Sequence, residues 1–244
     1  MKVAAIVPAY NEAQRIGPVL DALDGARLVD TVIVVDDGSR DGTAQAVPGD
    51  NGIRTLVLPR NRGKGGAMKA GVDTTDADVV LFLDADLVGL EPGQIDALVA
   101  PVLAGEADMA IGVFRGGRYL TDLSQRLVPY ISGQRAMRRE VFLEVPGLEG
   151  VRSGVEVALT RYAKSKSLRV KNVPLHGVTH VMKEEKLGAL RGVWGRLRMY
   201  YEIGKCVVLD GRFERVRRFL AASFASGGDQ RASLDGFRDS DREK

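Results

Sequence analysis

The run Val79-Val80-Leu81-Phe82-Leu83 leads straight into Asp84-Ala85-Asp86, so a wholly apolar segment delivers two carboxylates separated by one small residue. A segment this short and rich in Val and Leu reads as a strand buried on both faces, and such strands belong to parallel sheets covered by helices. The acids then sit at the strand's carboxyl end, where open α/β sheets bind their ligands. If the chain stays extended to Asp86, both carboxylates project to one side and Ala85 to the other. Paired hard oxygen donors suit Mg2+ or Mn2+ carrying a phosphorylated substrate. An Asp-x-Asp can equally end a strand and cap the next turn, so its meaning rests on its neighbours.

Those neighbours repeat the pattern. Residues 3–7 form a strand-like run stopped by Pro8, and residues 11–23 place Ile16, Val19, Leu20 and Leu23 at helical spacing. A second strand over 31–35 ends in Asp36-Asp37-Gly38-Ser39. A third over 53–58 precedes the glycine-rich Arg60-Asn61-Arg62-Gly63-Lys64-Gly65-Gly66 and a helix to about residue 72. A helix over 92–103 and a strand over 109–113 follow. Strands alternating with helices at this spacing predict a doubly wound α/β fold with a mostly parallel sheet. Beyond Phe114 the pattern loosens into a strand at 132–138, a helical turn at 139–145, a helix at 155–163 and a strand at 168–173 stopped by Pro174. Residues 187–208 and 210–224 read as helices forming a C-terminal extension, and the polar stretch from 227 reads as disordered.

A chain of 244 residues can hold one large α/β domain. We divide it into a donor-side half at 1–114, a second half of the same domain at 115–183, helices at 184–226 and a tail at 227–244. With 35 basic against 32 acidic residues, the charge balance does not call for nucleic acid as a partner. A single cysteine, Cys206, excludes an internal disulfide framework and fits a reducing compartment. No apolar run approaches the roughly 20 residues of a membrane-spanning helix, and the first residues lack a signal-peptide pattern. The expectation is a cytoplasmic protein. The basic segment 183–218, with Trp194, Tyr200, Tyr201 and Phe213, is compatible with peripheral contact to an anionic membrane, or with aromatics packed on the sheet and charges in water. Oligomeric state is not legible.

The first turn reads Pro8-Ala9-Tyr10-Asn11-Glu12. A ring beside a carboxylate at a strand's carboxyl end can stack on a nucleobase and hydrogen-bond its edge or the ribose. It can also cover the core while Asn11 caps a helix. The loop Gly63 to Gly66 is either a phosphate cradle at a helix N-terminus or a flexible turn; it lacks the spacing of a Walker loop.

Four strings occur in fixed order: I-V-P-A-Y-N-E at 6–12, V-V-D-D-G-S-R-D-G-T at 34–43, N-R-G-K-G-G-A-M-K-A-G at 61–71 and F-L-D-A-D at 82–86. Together they resemble family 2-like glycosyltransferases with the GT-A fold. The resemblance implies an enzyme that binds a nucleotide-sugar donor and transfers the sugar with inversion, helped by Mg2+ or Mn2+. By position, Pro8, Tyr10 and Glu12 would border base and ribose, Asp37 would bond the base edge, and Lys64 would lie near the donor. Asp84 would reach the ribose and share in holding the metal, and Asp86 would be the catalytic metal ligand at the diphosphate.

The second half resembles the family less tightly. Ser132-Gly133-Gln134-Arg135-Ala136-Met137-Arg138-Arg139-Glu140 looks like its acceptor-side strand and turn, and Ser153-Gly154-Val155-Glu156-Val157 like its helix with an acid at the start. Glu156 is then a candidate general base, although an acid there is also stabilised by the helix dipole with no catalytic duty. A phosphate acceptor would need no base. Gly177-Val178-Thr179-His180 resembles the place where glucosyl-3-phosphoglycerate synthases supply an imidazole metal ligand, which makes His180 the candidate and His176 the fallback. Arg115, Arg135 and Arg138 are candidate acceptor contacts, since Arg forks suit phosphate; Arg118, Arg126 and Arg139 share the segment. Val88 stands where dolichyl-phosphate mannose synthases usually carry Gln, which weakens a polyprenyl-phosphate acceptor relative to a phosphorylated small molecule. Nucleotidyltransfer is disfavoured because no basic glycine-rich loop follows the first strand. A catalytically silent nucleotide-binding protein is the remaining alternative.

Overall fold

The computed structural model describes residues 1–49, 52–115, 132–151 and 154–180. Its main sheet has seven strands in the order β3-β2-β1-β4-β7-β6-β8. These are β1 Val3–Ala9, β2 Thr31–Asp36, β3 Arg54–Val57, β4 Val79–Phe82, β6 Met109–Arg115, β7 Arg135–Arg138 and β8 Val170–His176. A separate two-stranded ladder joins β5 Leu87–Val88 to β9 Thr179–His180. The helices are α1 Gly17–Asp24, α2 Gly63–Asp73, α3 Pro92–Leu103, α4 Arg139–Leu143 and α5 Val155–Ser165.

Alternation within the strands divides the core into two layers. Val3, Ala5, Val7, Val79 and Leu81 pack with α1 and α3 residues on one face. Ala4, Ile6, Val80 and Phe82 pack with residues of α2, α4 and α5 on the other. A central strand apolar on both faces is the signature of helix-covered parallel pairing, and β1 lies parallel to both β2 and β4. The sheet is mixed, however. β7 is antiparallel to β4 and to β6, which the strand-helix alternation did not announce.

Two prolines expected to stop strands do not. Ile6 turns its carbonyl toward the N–H of Leu83, so Pro8 faces the same side two residues later. Pairing with β4 ends at Ile6–Phe82, so the missing N–H of Pro8 costs no ladder bond. Pro174 sits in β8, an edge strand, where proline is tolerated. The helix over 11–23 is also shorter than its spacing suggested. α1 begins at Gly17 with Pro18 in its first turn, and Ile16, Val19, Leu20 and Leu23 are all buried as the spacing required.

Among the described residues no helix is long and apolar enough to cross a membrane. The expected helices at 187–224, the tail, the basic aromatic segment 183–218, Arg118 and Arg126 lie outside the described residues.

Candidate active site

β1, β2, β4, β6 and β8 all present their carboxyl ends at one edge of the main sheet, and most of the predicted residues gather there. β4 ends at Phe82, and Ala85 and Asp86 lie in a turn. The premise of an extended Asp84-Ala85-Asp86 therefore fails: a turn, not strand alternation, aims the two acids.

Lys64 is the hub. Its ammonium is 2.6 Å from Oδ1 of Asp84 and 2.5 Å from Oε1 of Glu156. The three side chains are 25%, 19% and 15% exposed, so solvent reaches each but screens none fully. Burial works against the charge on Lys64, yet the carboxylates of Asp84 and Glu156 outweigh it and hold the ammonium above the ordinary lysine range. Glu156 is thus part of a salt bridge, whatever it also receives from the α5 dipole.

Glycine packing makes this hub possible. Gly65, in the first turn of α2, donates its N–H to the carbonyl of Val151 at 3.1 Å. A Cβ on Gly65 would fall 2.2 Å from the Leu148 carbonyl oxygen and 2.6 Å from that of Val151. Only a residue without a side chain lets α2 approach the segment leading into α5, bringing Lys64 to Glu156. The glycines at 63, 65 and 66 are buried residues in the first turn of α2, so they form no flexible turn, and the N–H groups of Gly63 and Gly65 are taken by Asp37 and Val151.

Asp37 caps the same N-terminal end of α2. It is 3% exposed, and its oxygens accept the backbone N–H of Arg62 at 2.6 Å and of Gly63 at 2.8 Å. The helix has no side-chain cap of its own, so a carboxylate from the β2 edge satisfies N–H groups that would otherwise lack partners.

The base-side loops are strapped together. Asn11 receives a hydrogen bond from the N–H of Arg40 through Oδ1 and donates its own N–H to Ser39 Oγ. Glu12 donates its N–H to Thr43 Oγ1, and its carboxylate accepts from Arg15. Asn11 has φ +57°, a left-handed conformation held by these contacts. Asn11 thus braces the β2 loop and does not cap α1, whose N-cap is Ile16. Tyr10 beside it is 45% exposed, a ring turned to solvent and not a core cover. Pro8 is half-buried below it.

The three candidate arginines separate. Arg115 is exposed at the carboxyl end of β6, registered against His176 of β8. Arg135 is fully buried: its Nε donates to the Ser132 carbonyl at 2.9 Å. Burial pulls its guanidinium down to about 10, opposed by the charge of Glu156. Arg138 pairs in register with Val79, at the amino end of β4 and so at the opposite edge of the sheet. An acceptor contact by Arg138 does not agree with that position, and Arg135 has no exposed surface with which to make one.

Sequence reasoning passed over Ser132, Gly133 and Gln134 individually. Gln134 Nε2 donates to Asp84 Oδ2 at 2.9 Å, and a Cβ on Gly133 would lie 2.5 Å from Asp84 Oδ2 and 2.6 Å from Lys64 Nζ. Their signal was present: Ser, Gly and Gln interrupt the entry to an otherwise buried strand.

For a hard divalent cation, the donor chemistry fits. Asp84 already attracts one cation, the Lys64 ammonium, and Asp86 lies half-buried in the adjoining turn. Leu87, next to Asp86, is the register partner of His180, so β5–β9 pairing brings the backbone of the predicted imidazole ligand beside the acids. The His180 side chain lies outside the described residues. Among those described, no three His, Cys, Asp or Glu residues gather as a metal cluster.

Comparison with known proteins agrees with this arrangement. The glucosyl-3-phosphoglycerate synthase of Mycobacterium tuberculosis (strain CDC 1551 / Oshkosh) is 30% identical over 64% of this chain and 59% of that protein. Dodecaprenyl-phosphate galacturonate synthase of Rhizobium johnstonii is 32% identical over 46% of this chain and 36% of that one. The chain therefore spans less than two thirds of the length of these curated relatives. A crystal structure of the Mycobacterium tuberculosis synthase with Mn2+, UDP-glucose and phosphoglyceric acid superposes with a TM-score of 0.61 at 28% identity, covering 74% of this chain and 71% of that one. A crystal structure with Mg2+ and UDP gives 0.59, also at 28% identity, over 74% and 71%. The fold of the described residues is accordingly GT-A-like. The model described as Glycosyl transferase family 2 matches residues 4–161, more than half of the sequence, and the chain belongs to that family.

Proposed function

We propose that the chain is a metal-dependent, inverting glycosyltransferase that moves a sugar from a nucleotide-sugar donor to a phosphate-bearing acceptor. One observation carries the reading: Lys64 is clamped between Asp84 and Glu156 at the same sheet edge as exposed Tyr10 and the Asp37 carboxylate. That edge offers a ring for a base, acids for sugar hydroxyls and a fixed cation for phosphate. The relatives act, by their names, on phosphoglycerate or polyprenyl phosphate, which supports a phosphate-bearing acceptor.

In this reading Tyr10 stacks on the base, Pro8 borders it, Asp37 accepts a base N–H, and Glu12 and Asp84 accept from ribose hydroxyls. As the bond from the anomeric carbon to the diphosphate oxygen breaks, negative charge grows on the leaving group. The Lys64 ammonium, held in place before the reaction, lowers the cost of that charge. Glu156 keeps the ammonium aimed. Where the acceptor's phosphate is itself the nucleophile, it attacks as an oxyanion with no proton to remove; where a hydroxyl of a phosphorylated small molecule attacks, its proton passes to a base, for which Glu156 is the candidate. Asp86, with His180, would hold Mg2+ or Mn2+, which supplies Lewis-acid stabilisation of the departing diphosphate when bound. Exposed Arg115 is the arginine left to meet the acceptor.

The test is a panel of UDP- and GDP-sugars with Mn2+, with phosphoglycerate and a polyprenyl phosphate as acceptors, following nucleoside diphosphate release. Acceptor-stimulated release supports the proposal. Proton NMR of the product distinguishes inversion from retention. Nucleoside diphosphate binding with no turnover of any donor would favour the silent binding protein, and pyrophosphate release from a nucleoside triphosphate would favour nucleotidyltransfer.

A further inference from the structure

Asp84 lies in irregular chain just beyond the end of β4, where no ladder bond fixes it. Its carboxylate is held from two sides. On one side is Lys64, a flexible four-carbon stem ending in an ammonium that the donor's diphosphate would also attract. On the other side is Gln134 Nε2, 2.9 Å from Oδ2.

Gln134 is a different kind of partner. It is fully buried, just before β7, and its own carbonyl accepts the N–H of Gly112 at 2.8 Å. Its amide orientation is set from both ends. A carboxylate offers only acceptors, so Nε2 must face Asp84, which turns Oε1 to Ser132 Oγ at 3.0 Å. Ser132 Oγ is in turn 2.5 Å from the Gly112 carbonyl oxygen, so its one proton has two acceptors within reach. The result is a buried arm running from the β6 backbone through Ser132 and Gln134 to Asp84. Buried polar arms of this kind are costly unless satisfied, and this one ends on a residue at the site.

We propose that Gln134 is a positioning residue for Asp84, keeping that carboxylate aimed at the donor when the Lys64 ammonium is shared with the diphosphate. The inference rests on the donor-site reading above and assigns it a residue that touches no ligand. It makes Gln134 matter to donor affinity more than to the chemical step.

Calorimetry on the full chain tests it, with UDP and GDP in the presence of Mn2+ as probes. In Gln134→Met, which keeps length and volume but donates no hydrogen bond, affinity for whichever nucleotide binds the wild type falls about tenfold or more, because a hydrogen bond to a charged group is lost. Gln134→Glu, which places a second carboxylate against Asp84, weakens it at least as much. Ser132→Ala, which frees the amide without removing it, weakens it by a smaller factor and provides the test should the Gln134 variants not fold. With a turned-over donor, KM rises and kcat changes less than threefold. Wild-type affinity in folded Gln134→Met, or in Ser132→Ala where the Gln134 variants do not fold, overturns the inference alone. A wild-type chain that binds neither nucleotide overturns the donor-site reading and this inference with it.

Discussion

Lys64 Nζ and Glu156 Oε1 lie 2.5 Å apart across 92 residues of sequence, joining the first turn of α2 to the first turn of α5. The contact makes Glu156 the holder of a cation. A general base acts chiefly on kcat and is worth ~10²–10⁴-fold; a holder of Lys64 acts on donor binding as well. Glu156→Gln is therefore expected to raise the donor KM about tenfold and to lower kcat by less than ~100-fold. Steady-state kinetics at varied donor concentration separate the two, and a pure kcat loss would restore the base.

Gly133 lies against the Asp84–Lys64 pair, with room for no side chain. Gly133→Ala puts a methyl where the ion pair is, and displacement of reacting groups by about 1 Å can cost ~10²-fold. Nucleoside diphosphate release should fall by about that factor, while circular dichroism stays that of a folded α/β protein. Wild-type turnover in Gly133→Ala would show that the pair need not keep its geometry.

Tyr10 presents its ring to solvent at the tip of the first loop. Stacking of a base on an aromatic ring is worth ~1–3 kcal/mol by alanine substitution. Tyr10→Ala should raise the donor KM roughly five- to hundredfold, and Tyr10→Phe should recover most of it, measured with the same donor.

Away from the site, Asp108 gives stability a dependence on low pH. Arg169 grips Asp108 through Nη2 at 2.8 Å and Nε at 3.2 Å, and the Arg169 N–H donates to the same carboxylate at 2.9 Å. These hydrogen bonds hold Asp108 below the ordinary carboxylate value of 3.8. A depressed folded value means that the stabilisation is complete above 3.8 and is lost as pH falls through the folded value. Asp108→Asn should lower the melting temperature by a few degrees at pH 7, with the difference shrinking below about pH 4. A difference that grows on acidification would contradict the assignment.

The donor-side half was legible because its code is local. Apolar runs fix β1, β2 and β4, those of β2 and β4 leading into acids at their common carboxyl edge, and Ile16, Val19, Leu20 and Leu23 mark the buried face of α1. What stayed hidden depends on contacts distant in sequence. The antiparallel insertion of β7 is set by pairing of residues 135–138 with 79–82, and neither segment carries that direction. Arg135 and Arg138 look alike in sequence, yet three residues of strand carry one to the buried layer beneath the site and the other to the opposite edge. Gln134 resembled an ordinary polar residue until its amide met Asp84. The glycines of α2 pointed to phosphate, and the packing of Gly65 on Leu148 and Val151 is a further use that only the fold reveals.

The central claim is that the acids after β4 hold a cation that assists departure of a diphosphate. Mn2+-dependent release of nucleoside diphosphate from a nucleotide sugar, compared between the wild-type chain and Asp86→Ala, tests it most directly. The account predicts that release is abolished in the variant while its melting temperature is unchanged. Release at the wild-type rate in a folded Asp86→Ala chain would contradict it.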